Sequence, residues 1–112
     1  MYDLTYRPRR LRINPEMRDL VRETTLDVTD LIYPLFIVPG EGIKKEIDTL
    51  PGQYHLSVDE AVKVAQEAYD LGVRGVEIFG IPTYKDEQGS SAWDMEQPVQ
   101  QAIKAIREAV PN

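Results

Sequence analysis

The sequence contains no cysteine, so no disulfide framework and no thiolate metal site can form within this chain. Long apolar runs are also absent, and none approaches the roughly 18 residues that a membrane-spanning helix needs. The opening residues MYDLTYR lack the apolar stretch of a secretory signal peptide. These absences predict a protein without a membrane partner, and they make a cytoplasmic location the default expectation.

Motifs for common chemistries are missing as well. The sequence has no G-x-G-x-x-G, no phosphate-binding P-loop, and no G-x-S-x-G elbow around Ser90 or Ser91. His55 is the only histidine and has no acidic or nucleophilic partner close in sequence. It is most simply interpreted as a surface or hydrogen-bonded loop histidine. The residues alone therefore predict no nucleophile–base pair.

Charge is unevenly distributed along the 112 residues, which are enough for one domain at most. The net charge is -6, yet residues 1–22 carry six arginines against three acidic residues, a net of +3. Residues 23–112 carry seven basic against sixteen acidic side chains, a net of -9. The acidic body argues against a DNA-binding module, so no nucleic-acid partner is expected. A solvated basic arm and self-association through that arm both remain open.

Apolar runs bounded by turn residues predict two strands. Residues 31–38 form a nearly continuous apolar run, typical of a strand buried on both faces of a parallel sheet. Proline removes a backbone donor, so the regular strand is expected to start at or after Pro34. Residues 75–82 predict the second strand. Between them, residues 43–56 are expected to form an excursion with a short amphipathic piece, closed by a turn at Pro51-Gly52.

A helix is predicted after each strand. The first covers residues 57–71, with a capping box of Ser57 and Glu60 and an alanine-rich apolar stripe. The second begins near Pro98. Because strands alternate with helices, we expect parallel pairing with right-handed crossovers. Two such strands are too few for an independent sheet, so the pattern predicts an α/β fold that is part of a larger one.

Charged clusters offer weak candidates for chemistry. Lys45 beside Lys44 nominally meets one condition for a Schiff-base lysine, a cationic neighbour, but both flank a solvent-rich turn. The long polar loop over residues 83–97 has four carboxylates that could hold magnesium, although a solvated acidic loop is the simpler interpretation: Asp86, Glu87, Asp94 and Glu96.

If the chain were part of a (β/α)₈ barrel, which needs about 250 residues, the ends of its strands would be candidate functional positions. Active sites in that fold form at the C-terminal ends of the strands, which here are residues 38–42 and 80–83. Periodicity alone leaves Phe79 as either a core residue or a pocket wall.

Several short stretches, in this order and spacing, are those of one enzyme family. They are RPRRLR at 7–12, LIYPLFIV at 31–38, GEG at 40–42, LPG at 50–52, IFGIP at 78–82, KDE at 85–87, GS at 89–90, VQ at 99–100 and AI at 102–103. With them, almost the whole chain resembles the N-terminal part of porphobilinogen synthases, also called 5-aminolevulinate dehydratases. The resemblance implies an enzyme that condenses two 5-aminolevulinate molecules into porphobilinogen for tetrapyrrole (haem) biosynthesis, through lysine Schiff bases and often with zinc or magnesium.

The resemblance also implies an architecture. It gives an N-terminal arm over 1–13 that contacts a neighbouring subunit, commonly in a homo-octamer, and an incomplete TIM barrel over 14–112, comprising a short helix and the first two β/α units. Phe79 matches a position expected to line the substrate pocket. The oligomer contacts would come from four arginines of the arm, Arg7, Arg9, Arg10 and Arg12.

Catalytic and metal-binding residues cannot be carried over. The lysines and metal ligands of the family fall outside these 112 residues, so the chain by itself is expected to be inactive and to hold no cofactor. Two alternatives from other classes remain. One is a small self-associating α/β interaction module with a basic arm, dimerising through its open sheet edge. The other is a small magnesium-binding domain that uses Asp86, Glu87 and Asp94.

Overall fold

A computed structural model describes residues 5–111 of the chain; residues 1–4 and 112 lie outside the described part. The strands are β1 (Ile32–Ile37), β2 (Lys44–Ile47), β3 (Leu50–Leu56) and β4 (Gly75–Gly80). The α-helices are α1 (Pro15–Leu20), α2 (Val58–Asp70) and α3 (Pro98–Ala109). Short 3-10 helices cover Pro8–Arg12, Val28–Asp30 and Ser90–Ala92. The predicted α/β class is confirmed, and the described residues form no closed barrel.

One four-stranded sheet runs in the order β2-β3-β1-β4. β1 pairs in parallel with β4 along its whole length, from Ile32 opposite Gly75 to Ile37 opposite Gly80. On its other side β1 pairs in parallel with β3, but only at Phe36 and Ile37. β2 and β3 are antiparallel. The predicted parallel pairing of the two strands 31–38 and 75–82 is therefore confirmed, and β1 is central rather than marginal.

The prediction for residues 43–56 was wrong, because they form the β2–β3 hairpin instead of an excursion with a short amphipathic piece. Pro51 and Gly52 lie inside β3, at its start, next to an irregularity in the pairing at Glu46 and Ile47. The backbone amide that Pro51 lacks is not needed there, since regular pairing of β3 with β1 begins only at His55.

β1 also begins earlier than predicted, at Ile32, with Pro34 inside it and opposite Glu77 of β4. The Ile37 carbonyl accepts from the Ile81 amide on the β4 side, whereas the Val38 amide donates to Leu56 of β3. Because backbone groups alternate in direction along a strand, the Pro34 nitrogen faces the β3 side. Pairing on that side starts only at Phe36, so the proline interrupts no ladder.

Helices α2 and α3 cover one face of the sheet. The buried core between them consists of Leu35, Ile37, Leu56, Ala61, Ala65 and Ala102. Alanines on the helices let them lie close to the strands, as the alanine-rich stripe predicted. The approach is closest at Gly80, where an added Cβ would overlap the Val99 side chain.

The predicted helices over 57–71 and from Pro98 are confirmed, but the capping box is not formed. The Ser57 side chain makes no capping bond to the helix backbone. Its hydroxyl instead accepts from the Ile43 amide at 2.9 Å and donates to the Asp59 carboxylate. The Ser57 hydroxyl thus bonds to Ile43, just before β2, instead of forming the predicted capping box with its own helix.

The residues before β1 extend away from this body. Asn14 caps α1, accepting from the Met17 amide at 2.8 Å, but nearly every residue from 5 to 31 is exposed. The radius of gyration is 22.4 Å, against about 13 Å for a compact chain of this length. Pro8–Arg12 form a 3-10 helix within the segment predicted as an extended arm, of which residues 1–4 lie outside the described part. The division at residue 13 stays a prediction.

No α-helix among the described residues is both long and apolar enough to cross a membrane.

Candidate functional site

The sheet has a second face, opposite the helices, and at the carboxyl ends of its parallel strands this face carries three rings. Leu35 and Ile37 point into the helix-covered core. Since successive side chains of a strand alternate between faces, Phe36 points the other way. The same alternation places His55, next to buried Leu56, and Phe79, next to partly buried Ile78, on this open face.

These three side chains form what we call the aromatic row: His55, Phe36 and Phe79. Phe36 lies opposite His55 in β3 and opposite Phe79 in β4. The Phe36 and Phe79 rings are stacked, with centroids 5.5 Å apart and planes at 21°. The His55 ring is tilted at 59° to Phe36 with centroids 6.5 Å apart. Phe79 is 45% exposed, so its ring is available for contact.

The positions of two lysines in β2 argue against the hypothesis of a Schiff-base Lys45. Lys44 and Lys45 lie on opposite faces of β2, since they pair with Leu56 and His55 respectively. The Lys44 ammonium lies 4.8 Å from the centre of the Tyr54 ring. Lys44 therefore does not provide the cationic neighbour that a Schiff-base Lys45 would need.

The other lysines offer no better nucleophile. All five lysines of the chain belong to the described residues and are exposed: Lys44, Lys45, Lys63, Lys85 and Lys104. A Schiff-base lysine needs a lowered pKa. At Lys63, by contrast, the hydrogen bond and charge of Glu60 raise the pKa.

The polar loop that follows β4 is ordered by its own hydrogen bonds. Gln97, only 6% exposed, accepts through its side-chain oxygen from the Thr83 amide at 3.0 Å. Asp94 accepts from the Tyr84 hydroxyl at 3.1 Å and from the Glu96 amide at 2.9 Å. The Glu96 amide is the main cause of a lowered Asp94 pKa, and burial together with Asp94 raises the pKa of Tyr84.

The acidic residues of this loop do not converge on a cation. Asp86 accepts from the Ser90 amide at 2.8 Å and from the Gln88 amide at 3.2 Å, and the Ser90 bond lowers the Asp86 pKa. Across residues 5–111, no three carboxylate or histidine side chains come together as a metal-binding group. The hypothesis of a magnesium domain on Asp86, Glu87 and Asp94 thus finds no assembled site in the described chain.

A cleft of about 660 Å³ lies on the helix side, between the segment after β1 and the N-termini of α2 and α3. Its charged groups are all acidic: Glu41, Asp59 and Glu96. Asp59 is already bound to the Gly42 amide at 3.0 Å and to Ser57. The cleft lacks a cationic or nucleophilic group.

The four arginines predicted to contact another subunit, Arg7, Arg9, Arg10 and Arg12, are all exposed. The ion pairs found within residues 5–111 are Arg22–Asp19 and Lys63–Glu60, and neither involves these arginines. Exposed apolar side chains, among them Tyr6, Leu11 and Ile13, lie beside or between them in the sequence. The arginine contacts stay a prediction, as does a pocket role for Phe79.

Sequence reasoning singled out Phe79 but not its partners. Phe36 was one residue of an apolar run on both faces, and no signal in the sequence indicated which face it occupies. His55 was interpreted as a loop residue because the strand that carries it was not predicted.

Comparisons with known proteins agree along nearly the whole chain. The family model "Delta-aminolevulinic acid dehydratase" matches residues 5–112. A protein of that name from Synechococcus elongatus is 53% identical over 108 residues, covering 96% of this chain and 33% of its own length. The one from Ruminiclostridium josui is 50% identical over 106 residues, covering 95% of this chain and 52% of its own.

A solved structure gives the same result for the fold. The delta-aminolevulinic acid dehydratase (porphobilinogen synthase) of Toxoplasma gondii ME49, solved with the reaction product porphobilinogen, matches with a TM-score of 0.82 and 32% identity. The match covers 96% of this chain and 31% of that one. The chain therefore spans about a third of the length of most of these proteins.

Proposed function

Because the chain belongs to the delta-aminolevulinic acid dehydratase family, we propose that it is the N-terminal segment of an enzyme that condenses two 5-aminolevulinate molecules into porphobilinogen. The observation that carries the proposal is the family match over residues 5–112, which extends from the exposed arginines to the end of α3. This reaction is an early step of tetrapyrrole and haem biosynthesis.

The fold supports a barrel origin for this segment. β1 and α2, then β4 and α3, would be the first two β/α units of a (β/α)₈ barrel. Within the described residues β4 is an edge strand whose outer side has no partner, and the sheet face opposite the helices is open. In a closed barrel the next strand would pair with β4, and the open face would turn towards the interior.

Phe79 is then proposed to line the substrate pocket. It stands at the carboxyl end of β4 on the open face, the end where active sites form in this fold. Its half-exposed ring can pack against the carbon chain of a small keto acid such as 5-aminolevulinate. The ordered loop over residues 81–97 follows directly and would border the same opening.

Covalent chemistry is proposed to come from the remainder of the enzyme. The five lysines of this chain are exposed, which does not favour the desolvated amine that forms a Schiff base. Zinc or magnesium would likewise be held elsewhere. The residues here do not fit such a site, since the chain has no cysteine, a single histidine and no assembled carboxylate group in its described part.

We propose that the arginine-rich segment before β1 contacts a second subunit in a homo-oligomer, an octamer as the family resemblance implies. Support comes from its extension away from the sheet and from its exposed arginines and apolar side chains. The acidic body, with a net charge of -9 over residues 23–112, is a complementary surface for it. A cytoplasmic location stays a prediction.

Two assays test the proposal. The full-length enzyme that carries this segment is incubated with 5-aminolevulinate, and porphobilinogen is measured by a pyrrole-specific colour reaction. We expect product from the full-length enzyme and none from the 112-residue chain. Absence of product from the folded, metal-supplied enzyme would overturn the proposed reaction. Product from the 112-residue chain alone would overturn the assignment of the chemistry to the remainder.

A further inference from the structure

Phe36 occupies the middle of the aromatic row and has no role in the function described so far. It lies near the carboxyl end of β1, in register with His55 on one side and Phe79 on the other. Its ring is stacked on that of Phe79, at 5.5 Å between centroids and 21° between planes. His55 packs against it from the β3 side at 6.5 Å.

The two stacked rings differ in their exposure and in the position of their strands within the described sheet. β1 is central, and at Phe36 it is paired with a strand on each side. β4 is the edge strand of the described sheet. Phe79 is 45% exposed, whereas Phe36 is partly buried. The less exposed Phe36 ring therefore supports the more accessible Phe79 ring, and the stack limits the orientations open to Phe79.

We propose that Phe36 is a positioning residue for substrate binding, acting through Phe79 rather than by touching the substrate. The inference rests on the proposed function, because it requires Phe79 to line the 5-aminolevulinate pocket. Removing the Phe36 ring leaves the Phe79 ring present but free to turn. Such a change weakens binding of substrate and transition state alike, so it raises KM while leaving kcat nearly constant.

The test is a double-mutant cycle in the full-length enzyme, with Phe36→Leu, Phe79→Leu and the double variant. An aromatic pair accounts for about a 2- to 10-fold effect. We expect Phe36→Leu to raise KM for 5-aminolevulinate by about that factor, with kcat within about twofold. In the double variant KM should equal that of Phe79→Leu alone, since Phe36 has nothing left to position.

Tyr54→Leu is the matched control, because it removes a partly buried ring from the same sheet on the opposite, helix-covered face. Its melting temperature measures what loss of a ring costs in stability, and its KM should not change. Phe36→Met, which keeps most of the side-chain volume, replaces Phe36→Leu if the latter does not fold.

The outcomes separate the two proposals. If unmutated enzyme forms no porphobilinogen, the proposed function fails. If it is active but the folded Phe36 variant, Phe36→Leu or its replacement Phe36→Met, leaves KM unchanged, the positioning role is refuted. It is equally refuted if the KM effects of Phe36 and Phe79 multiply in the double variant, which would indicate independent contributions.

Discussion

Ser57→Ala should weaken the junction between the hairpin and helix α2. Ser57 is fully buried, with 0% exposure. Its amide donates to the Ile43 carbonyl at 2.9 Å, and its hydroxyl accepts from the Ile43 amide at the same distance. The pair of bonds holds the start of β2 to the start of α2. Alanine keeps the first bond and removes the second.

The magnitude follows from the amide that loses its partner. Ile43 is partly buried, and within the described residues its backbone amide has the Ser57 hydroxyl as its only hydrogen-bond acceptor. A buried donor left without a partner costs about 1–3 kcal/mol. Water reaches a partly buried site in part, so we expect about 1–2 kcal/mol lost from the free energy of unfolding. The loss should appear as a lower urea midpoint with an unchanged m-value.

The same hydroxyl also donates to Asp59, and this bond is the main reason that the pKa of Asp59 lies below its usual 3.8. A carboxyl whose pKa is lowered in the folded state stabilises the fold above its unfolded pKa. That contribution is lost as the pH falls through the lower folded pKa. The difference in stability between the original chain and Ser57→Ala should therefore shrink below about pH 4, leaving the part due to Ile43.

Urea unfolding followed by circular dichroism, from pH 7 to pH 3, measures both effects. Ser91→Ala is the control, since the described structure gives the Ser91 hydroxyl no hydrogen bond; its midpoint should move by less than about 0.5 kcal/mol in equivalent free energy. Equal midpoints for the two variants at pH 7 would refute the role of the Ser57–Ile43 bond. A difference that grows towards pH 3 would refute the role of Asp59.

The remaining predictions concern packing and assembly. Gly80→Ala should lower the melting temperature, at a cost of about 1–3 kcal/mol, because its Cβ would overlap Val99. In the Gly80→Ala background the further change Val99→Ala should destabilise the fold less than Val99→Ala does in the original chain, because it removes the overlapping side chain. Leu35→Ala, at 2% exposure, should cost about 2–5 kcal/mol in urea unfolding. Replacing the four arm arginines by glutamate in the full-length enzyme should reduce its mass in light scattering at low salt, and an unchanged mass would count against the arm contact. A discrete small oligomer of the 112-residue chain with cooperative melting would instead favour the interaction module.

Local signals were sufficient for the helices α2 and α3. The stripe of alanines ends at Gly72, whose φ of 100° suits only glycine, and α2 ends just before it, at Asp70. Pro98 opens α3 with the fixed φ of a first helical residue. In both helices the residues that set the boundaries lie within one turn of them, so an 11- to 15-residue window contains the information.

The hairpin was missed although its own pairing, from Lys44 opposite Leu56 to Ile47 opposite Leu50, lies within residues 44–56. Pro51-Gly52 is a turn signal by itself, and the residues around it fit that interpretation. A longer-range contact adds to this pairing, because the far end of β3, His55 and Leu56, pairs with Phe36 and Ile37, some nineteen residues earlier in the chain. The hairpin also explains the failed capping box, since it brings the Ile43 amide to the Ser57 hydroxyl.

Register explains why the aromatic row could not be foreseen. The run over residues 31–38 is apolar on both faces, so its sequence fits the helix-covered core with either set of alternate residues inward. Pairing with β4 selects Leu35 and Ile37 for the core and leaves Phe36 opposite Phe79. A shift of one residue would turn Phe36 into the core and set an aliphatic side chain beside Phe79. The stack between Phe36 and Phe79 is thus a consequence of strand register, and a shift of β1 against β4 would remove the stack together with the packing of Leu35 and Ile37 in the core.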